Sequence, residues 1–230
     1  MTSRHSPRSR IQFGLLLIAL GIAVGILAFV VGRADDDAGA KAGQPRAKLV
    51  IHGTGDVSLD PGYIPAFGSN GYDWAWSGLG GIFRDDDLTI INHECPSTEI
   101  VAPLEKRFVF RCDPDALDEA RRAGVDVASL ANNHAFDQGP QALLDSIRNP
   151  ERAGIVPIGA GASQEEADAP AYVDVKGWTI GLVAVGEVID PDTQVAIGDE
   201  IGTSVGHDFS RALEAIREAE ANADLVIVVI

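Results

Sequence analysis

Cysteine is scarce in this chain. There are two, Cys95 and Cys112, and neither has a neighbour at C-x-x-C spacing, which excludes a zinc-ribbon type of site. Basic residues are also few, 18 Lys and Arg against 34 Asp and Glu, for a formal net charge of -16. Non-specific nucleic-acid binding needs clustered Lys and Arg, so nucleic acid is not an expected partner. A phosphate-bearing or anionic substrate held by a local metal or basic patch remains compatible with that balance. No internal repeat divides the sequence. What is present is an ordinary globular composition, 46% apolar and 23% charged, on a length of 230 residues that suits one domain with a real core.

One stretch lacks charge altogether. "IQFGLLLIALGIAVGILAFVVG", residues 11–32, has a single polar amide and no polar face. As a helix at about 1.5 Å per residue it is roughly 33 Å long, enough to cross the hydrocarbon core of a bilayer. "MTSRHSPRSR" before it is basic and "ADDD" after it is acidic. The positive-inside rule then predicts a cytoplasmic tail (1–10), a transmembrane anchor (11–32), a flexible Asp-, Ala- and Gly-rich linker (33–48) and an extracytoplasmic domain (49–230). A cleaved signal peptide is the rival, although its apolar core runs about 7–15 residues and this one is longer. Outside the cytoplasm, Cys95 and Cys112 are permitted to form a disulfide; two buried free thiols are the alternative.

Within the domain, short apolar runs alternate with amphipathic segments of helical period. "KLVIHGTGDV", "DLTIINHE", "VDVASLA" and "IVPIGAG" read as strands. "DPDALDEARRAG" reads as a helix with Asp113 as cap, Pro114 in the first turn and Gly124 as stop. "GPQALLDSIRNPERAG" reads as a helix ending at Asn149, before Pro150. "SQEEADAP" is a short helix, and "AYVDVKG" and "WTIGLVAVG" form a hairpin across Lys176 and Gly177. "DFSRALEAIREAEANA" is amphipathic through Phe209, Leu213 and Ile216. "KRFVFR" alternates and reads as an edge strand. Pro61 to Gly81, punctuated by Gly and Pro with aromatics between, is a long loop of the kind that is often functional. The pattern predicts an α/β domain with largely parallel strands. "DLVIVVI" at the end reads as a buried central strand with nothing to cover it, so the C-terminal part of the domain is expected to be missing.

Three strands end in residues of metal-ligand type: Asp56 after the first, Asn92, His93 and Glu94 after the second, and Asn132, Asn133 and His134 after the third. Parallel α/β sheets bind ligands at the carboxyl ends of their strands, and all three clusters fall there. Carboxylate, carboxamide and imidazole together suit a divalent Mn, Zn or Fe ion rather than a thiolate-bound one. Such an ion polarises a phosphoryl or carbonyl oxygen, and a nearby His can serve as general acid for the leaving oxygen. Of the other histidines, His52 reads as structural, His207 lies near a helix start and His5 is in the tail.

The stretches "GDVSL" (Gly55 to Leu59), "NHECPST" (Asn92 to Thr98), "KRFVFRCDP" (Lys106 to Pro114), "AGVDVASLANNHAFDQG" (Ala123 to Gly139), "AGIVPIGAG" (Ala153 to Gly161) and "ADLVIVVI" (Ala223 to Ile230) are similar to the CapA/PgsA family of poly-γ-glutamate capsule biosynthesis proteins. That family belongs to the calcineurin-like metallophosphoesterase superfamily. The resemblance implies an α/β/β/α sandwich of two sheets with helices on the outer faces. It implies metal ligation by Asp56, Glu94 and Asn133, with Asn92 beside Glu94, and a catalytic His134 oriented by Asp137. Lys106, Arg107 and Arg111 would form a basic lip for an anionic substrate, or simply the charged side chains of an edge strand. Two positions depart from the family pattern: His93 replaces an apolar residue, and Ser58 stands where the superfamily often has a His. "HWG"-like and "GHHPH"-like segments that supply further metal-binding histidines in the family are absent. The expected function is synthesis or export of an anionic capsule polymer such as poly-γ-glutamate, alongside other membrane subunits of a polymer synthase, with metal-dependent phosphoester hydrolysis if the chain is catalytic. A non-catalytic scaffold and an inactive fragment are the rivals.

Overall fold

A computed structural model of the chain describes residues 46–188 and 193–230. The expected tail, anchor and most of the linker lie outside the described residues. Among the described residues no helix is long and apolar enough to cross a membrane.

The fold is α/β. Strands β1 (Ile51–Val57), β2 (Leu88–His93), β3 (Val127–Ser129) and β4 (Val156–Ile158) form one sheet in that order, every pair parallel. Among the described residues β5 (Ala160–Gly161) pairs with β8 (Gly202–Thr203) alone. The second main sheet has the order β6-β7-β9, in which β6 (Ala171–Val175) is antiparallel to β7 (Trp178–Ala184) and β9 (Leu225–Val229) is parallel to it. The β6–β7 hairpin turns at Lys176 and Gly177, both at positive φ (49° and 82°), as a two-residue turn between right-twisted strands requires.

The helices are α1 (Phe67–Asn70), α2 (Ala116–Ala123), α3 (Pro140–Ala153), α4 (Gln164–Asp168) and α5 (Phe209–Asn222), with a 3-10 helix at Tyr72–Leu79. Alternate residues of the strands face opposite ways. Leu88, Ile90, Val127 and Ile158 of the first sheet meet Ile180, Leu182, Ala184, Ile227 and Val229 of the second in one apolar cluster. On the other face of the first sheet, Ile91 and Ala128 pack with Leu117 and Ala120 of α2. On the other face of the second, Val183 and Val226 pack with Ala212, Ala215 and Ala219 of α5. Fully burying a side chain such as Ile91 or Leu117 contributes about 1.5–3 kcal/mol, and a fourth cluster of Leu59, Phe67, Cys95, Cys112 and Ala116 adds to these three.

Four local expectations are corrected. α2 starts at Ala116, after a turn in which Asp113 Oδ1 accepts from Asp115 N at 3.0 Å, rather than at Pro114. α3 does not stop before Pro150 but runs on to Ala153, with Pro150 buried in its last turns. "KRFVFR" is not a strand: Phe110 N donates to Asp137 Oδ2 (2.6 Å) and Arg111 N to Asp60 Oδ2 (2.9 Å), so carboxylates take the donors that a ladder would need. The buried face of α5 is its alanine face, while Phe209 and Leu213 are exposed. The reason is Gly181: a Cβ there would lie 3.0 Å from the Ala219 Cβ, so helix and sheet approach more closely than large side chains allow.

Candidate functional site

The parallel register brings the carboxyl ends of β1, β2 and β3 to one rim. β1 carries a bulge: Gly53 pairs with Ile90 and Asp56 with Asn92, leaving one extra residue on β1. Bulges re-aim side chains, and here Asp56 is turned toward its β2 neighbour. Asn92 Nδ2 donates to Asp56 Oδ1 at 2.7 Å. Asn132 Nδ2 donates to Asn92 Oδ1 and to the His93 carbonyl, each at 3.0 Å. Asn132 Oδ1 accepts from His134 N at 3.0 Å. Two carboxamides thus tie the three strand ends together. Both ends of the Asn92 carboxamide are engaged in this tie.

After β3 the chain folds into tight turns, with Asp137 N donating to His134 O at 3.1 Å and Gly139 N to Phe136 O at 2.8 Å. These turns set His134 and Asp137 side by side. His134 Nδ1 lies 2.8 Å from Asp137 Oδ2, so the carboxylate holds the Nδ1–H tautomer and aims Nε2 outward. Nε2 is 4.0 Å from Glu94 Oε1. The Phe110 ring covers the imidazole at a centroid distance of 4.2 Å. That lid had no local signal in the sequence, because it depends on where an irregular segment folds back.

Asp137 is fully buried, and its second oxygen, Oδ1, is 2.6 Å from Lys106 Nζ. Lys106 Nζ also donates to the Asn133 carbonyl at 2.9 Å, and its side chain is 7% exposed. Lys106 is therefore an inner counter-charge and not part of an outer lip: a buried carboxylate needs a cation beside it. Arg111 is turned away too, with Nη1 donating to the Thr98 carbonyl at 3.1 Å. Arg107 is exposed and lies over the Phe108 ring.

Cys95 and Cys112 form a disulfide with a Cα–Cα distance of 5.6 Å. It pins the residue after Glu94 to the segment entering α2, and Cys112 Sγ accepts from Leu59 N at 3.1 Å. His93 points inward, fully buried, with Nε2 2.7 Å from Ser97 Oγ; burial pushes its imidazole down to about 4. His52 pairs with Asp86 at 2.6 Å, and His207 lies on the surface 4.0 Å from Glu187. Neither belongs to the rim cluster.

The donor set at the rim fits a divalent cation. Glu94 is raised above its ordinary carboxyl value, first by burial and then by the negative charge of Asp56; His134 opposes this and Asp137 adds to it. Carboxylates so placed repel one another until a cation lies between them. Asp56 and Glu94 are the carboxylates that could hold it, with Asn133 following β3 on the same rim and the His134 imidazole beside Glu94, free of the ion. Their spacing is loose. Among the described residues, the three-residue group whose His, Cys, Asp or Glu ligand atoms all fall within 4.8 Å is His93, Cys95 and Cys112. The disulfide occupies both sulfurs of that group, so it offers no thiolate.

A parallel sheet whose carboxyl-end rim gathers two carboxylates, carboxamides and a carboxylate-held imidazole defines a class of α/β proteins built around a polar rim centre. The chain belongs to the bacterial capsule synthesis protein family PGA_cap, whose family model matches residues 50–230. It is 30% identical over 187 residues to a "probable polyglutamine synthesis accessory protein" of Mycobacterium tuberculosis, found in two strains, covering 75% of this chain and 48% of that protein. It is 26% identical over 150 residues to "PGA biosynthesis protein CapA" of Bacillus subtilis, covering 64% of this chain and 39% of that protein. The chain spans about half the length of the mycobacterial relatives it matches.

Proposed function

We propose that this chain serves the synthesis or export of an anionic capsule polymer, poly-γ-glutamate, as a membrane-anchored extracytoplasmic protein with a divalent-metal centre that hydrolyses a phosphoester. Family membership and the printed names of the relatives support the polymer. The uncharged segment 11–32 supports the anchor. The layering of helix, sheet, sheet and helix supports a metallophosphoesterase-like sandwich.

The observation that carries the chemistry is that Asp56, Asn92 and Asn132 are hydrogen-bonded in a row that fixes the His134 backbone amide, while Asp137, backed by Lys106, holds the His134 imidazole. Asp56, Glu94 and Asn133 would hold the ion, a Mn, Zn or Fe species. Once bound, it supplies Lewis acidity at a phosphoryl oxygen and favours ionisation of an attacking water. Asn92 orients the Asp56 carboxylate. Asp137 keeps the proton of His134 on Nδ1 and stabilises the imidazolium, so that Nε2 delivers a proton to the leaving oxygen. Phe110 shields the ring face from water. Hydrolysis of p-nitrophenyl phosphate with added Mn²⁺ tests this. His134→Ala is expected to lose roughly 100-fold or more in rate while the fold persists. The loose spacing of the rim ligands favours a second reading, in which the same centre binds polymer without cleaving it. A His134→Ala rate equal to wild type supports that reading instead.

A further inference from the structure

Beside Asp56 the rim opens into a cavity of about 500 Å³ whose wall is the Gly- and Pro-punctuated loop between β1 and β2. Its lining includes Phe67, Trp74, Trp76 and Phe83 together with Ser58 and Asp56. That volume is in the range of small-molecule sites, which are mostly apolar with a few polar groups. Among the described residues of the lining Asp56 is the one that is charged, and none is Lys or Arg. Trp74 stands at the surface, 46% exposed, against Phe67 at 6.2 Å between ring centroids. Two donors in the wall, Ser58 Oγ and Trp76 Nε1, are buried without an acceptor. Both atoms are out of reach of the cavity itself, so the surface it offers is the aromatic and aliphatic one.

We propose that this cavity is a substrate subsite for an uncharged ring with an apolar face, the part of the substrate that lies beyond the bond cut at the rim. Its role as a subsite rests on the proposed rim centre; binding of such a ring rests on the cavity alone. The chemistry selects the ligand. Aromatic walls stack on an apolar ring face. With no cation among the described residues of the lining, a carboxylate or phosphate loses its hydration without compensation, so the anionic parts of the substrate lie outside the cavity.

The test uses benzyl alcohol as the uncharged probe and benzoate as its anionic counterpart, with binding to the purified chain followed by ligand-observed NMR. The expected result is saturable binding of benzyl alcohol, at least roughly tenfold tighter than benzoate, lost roughly tenfold or more in Trp74→Ala. Trp74 is half exposed, so that variant is expected to fold. Leu79→Lys, which places a cation in the lining, is expected to reverse the preference toward benzoate. Equal binding of both probes, or benzyl alcohol binding unchanged in Trp74→Ala, overturns the subsite. Saturable benzyl alcohol binding without phosphoester turnover overturns the hydrolytic reading of the rim and leaves the cavity standing. Turnover without probe binding does the opposite.

Discussion

Lys106 and His134 share one carboxylate. Asp137 sends Oδ2 to the His134 imidazole (2.8 Å) and Oδ1 to Lys106 Nζ (2.6 Å), with both the carboxylate and the ammonium out of water. The imidazole is thus held by a carboxylate that is itself pinned by an ion pair.

Asp137→Asn should expose this coupling. Removing one partner of a buried pair leaves the other charge uncompensated and costs about 3–5 kcal/mol. The double variant Lys106→Met with Asp137→Asn should recover part of that loss while leaving His134 less firmly oriented. Urea unfolding of wild type, Asp137→Asn, Lys106→Met and the double variant measures both, and a single variant as stable as wild type contradicts the pairing.

The Cys95–Cys112 disulfide, spanning 17 positions, closes a short loop next to Glu94. Its removal by Cys95→Ala with Cys112→Ala should cost about 3 kcal/mol. Thermal melts with and without reductant check this: the reductant should lower the midpoint of wild type and leave the double variant unmoved.

Burial alone pushes His93 down to about 4. The folded state therefore keeps this imidazole neutral while the unfolded chain protonates near 6.5. Below about 6.5 the unfolded state binds the extra proton, so stability falls as the pH drops toward 4 and is unaffected by this group above neutrality. The full effect is on the order of 3 kcal/mol. Urea midpoints between pH 7 and pH 4 should show a decline that His93→Gln reduces, and identical pH profiles for the two proteins contradict the assignment.

Helix α5 gives a packing test. Ala219→Leu inserts bulk where Ala219 meets Gly181 and should cost about 1–3 kcal/mol. Phe209→Ser, on the exposed face, should stay within about 0.5 kcal/mol. A reversed order would mean that the helix packs through its large side chains after all.

That helix shows where sequence reading reaches its limit. The period of Phe209, Leu213 and Ile216 looks like a core stripe; Ile216 does pack at the sheet, but Phe209 and Leu213 are exposed, because a face of Ala212, Ala215 and Ala219 against a glycine permits a closer approach. Hydropathy alone does not register that advantage. The alternation in "KRFVFR" misleads for a related reason: its backbone donors go to Asp60 and Asp137, which are remote in sequence. The rim was legible because it needs only parallel strand order and the residues at each strand end. Asp56, Asn92, Glu94, Asn133 and His134 fall there by topology. The inward turn of Lys106 was not legible, since a lysine beside two arginines reads as surface until the buried Asp137 is seen.

The claim on which the rest depends is that the rim holds a divalent cation. Calorimetric titration of the purified chain with Mn²⁺, repeated on Asp56→Ala and Glu94→Ala, measures this directly. Wild type should bind saturably and gain about 2.7 kcal/mol of stability at an ion concentration of about 100 Kd. Both variants should lose most of that binding and gain. Wild type that takes up no ion, or variants that bind as wild type does, would contradict the account.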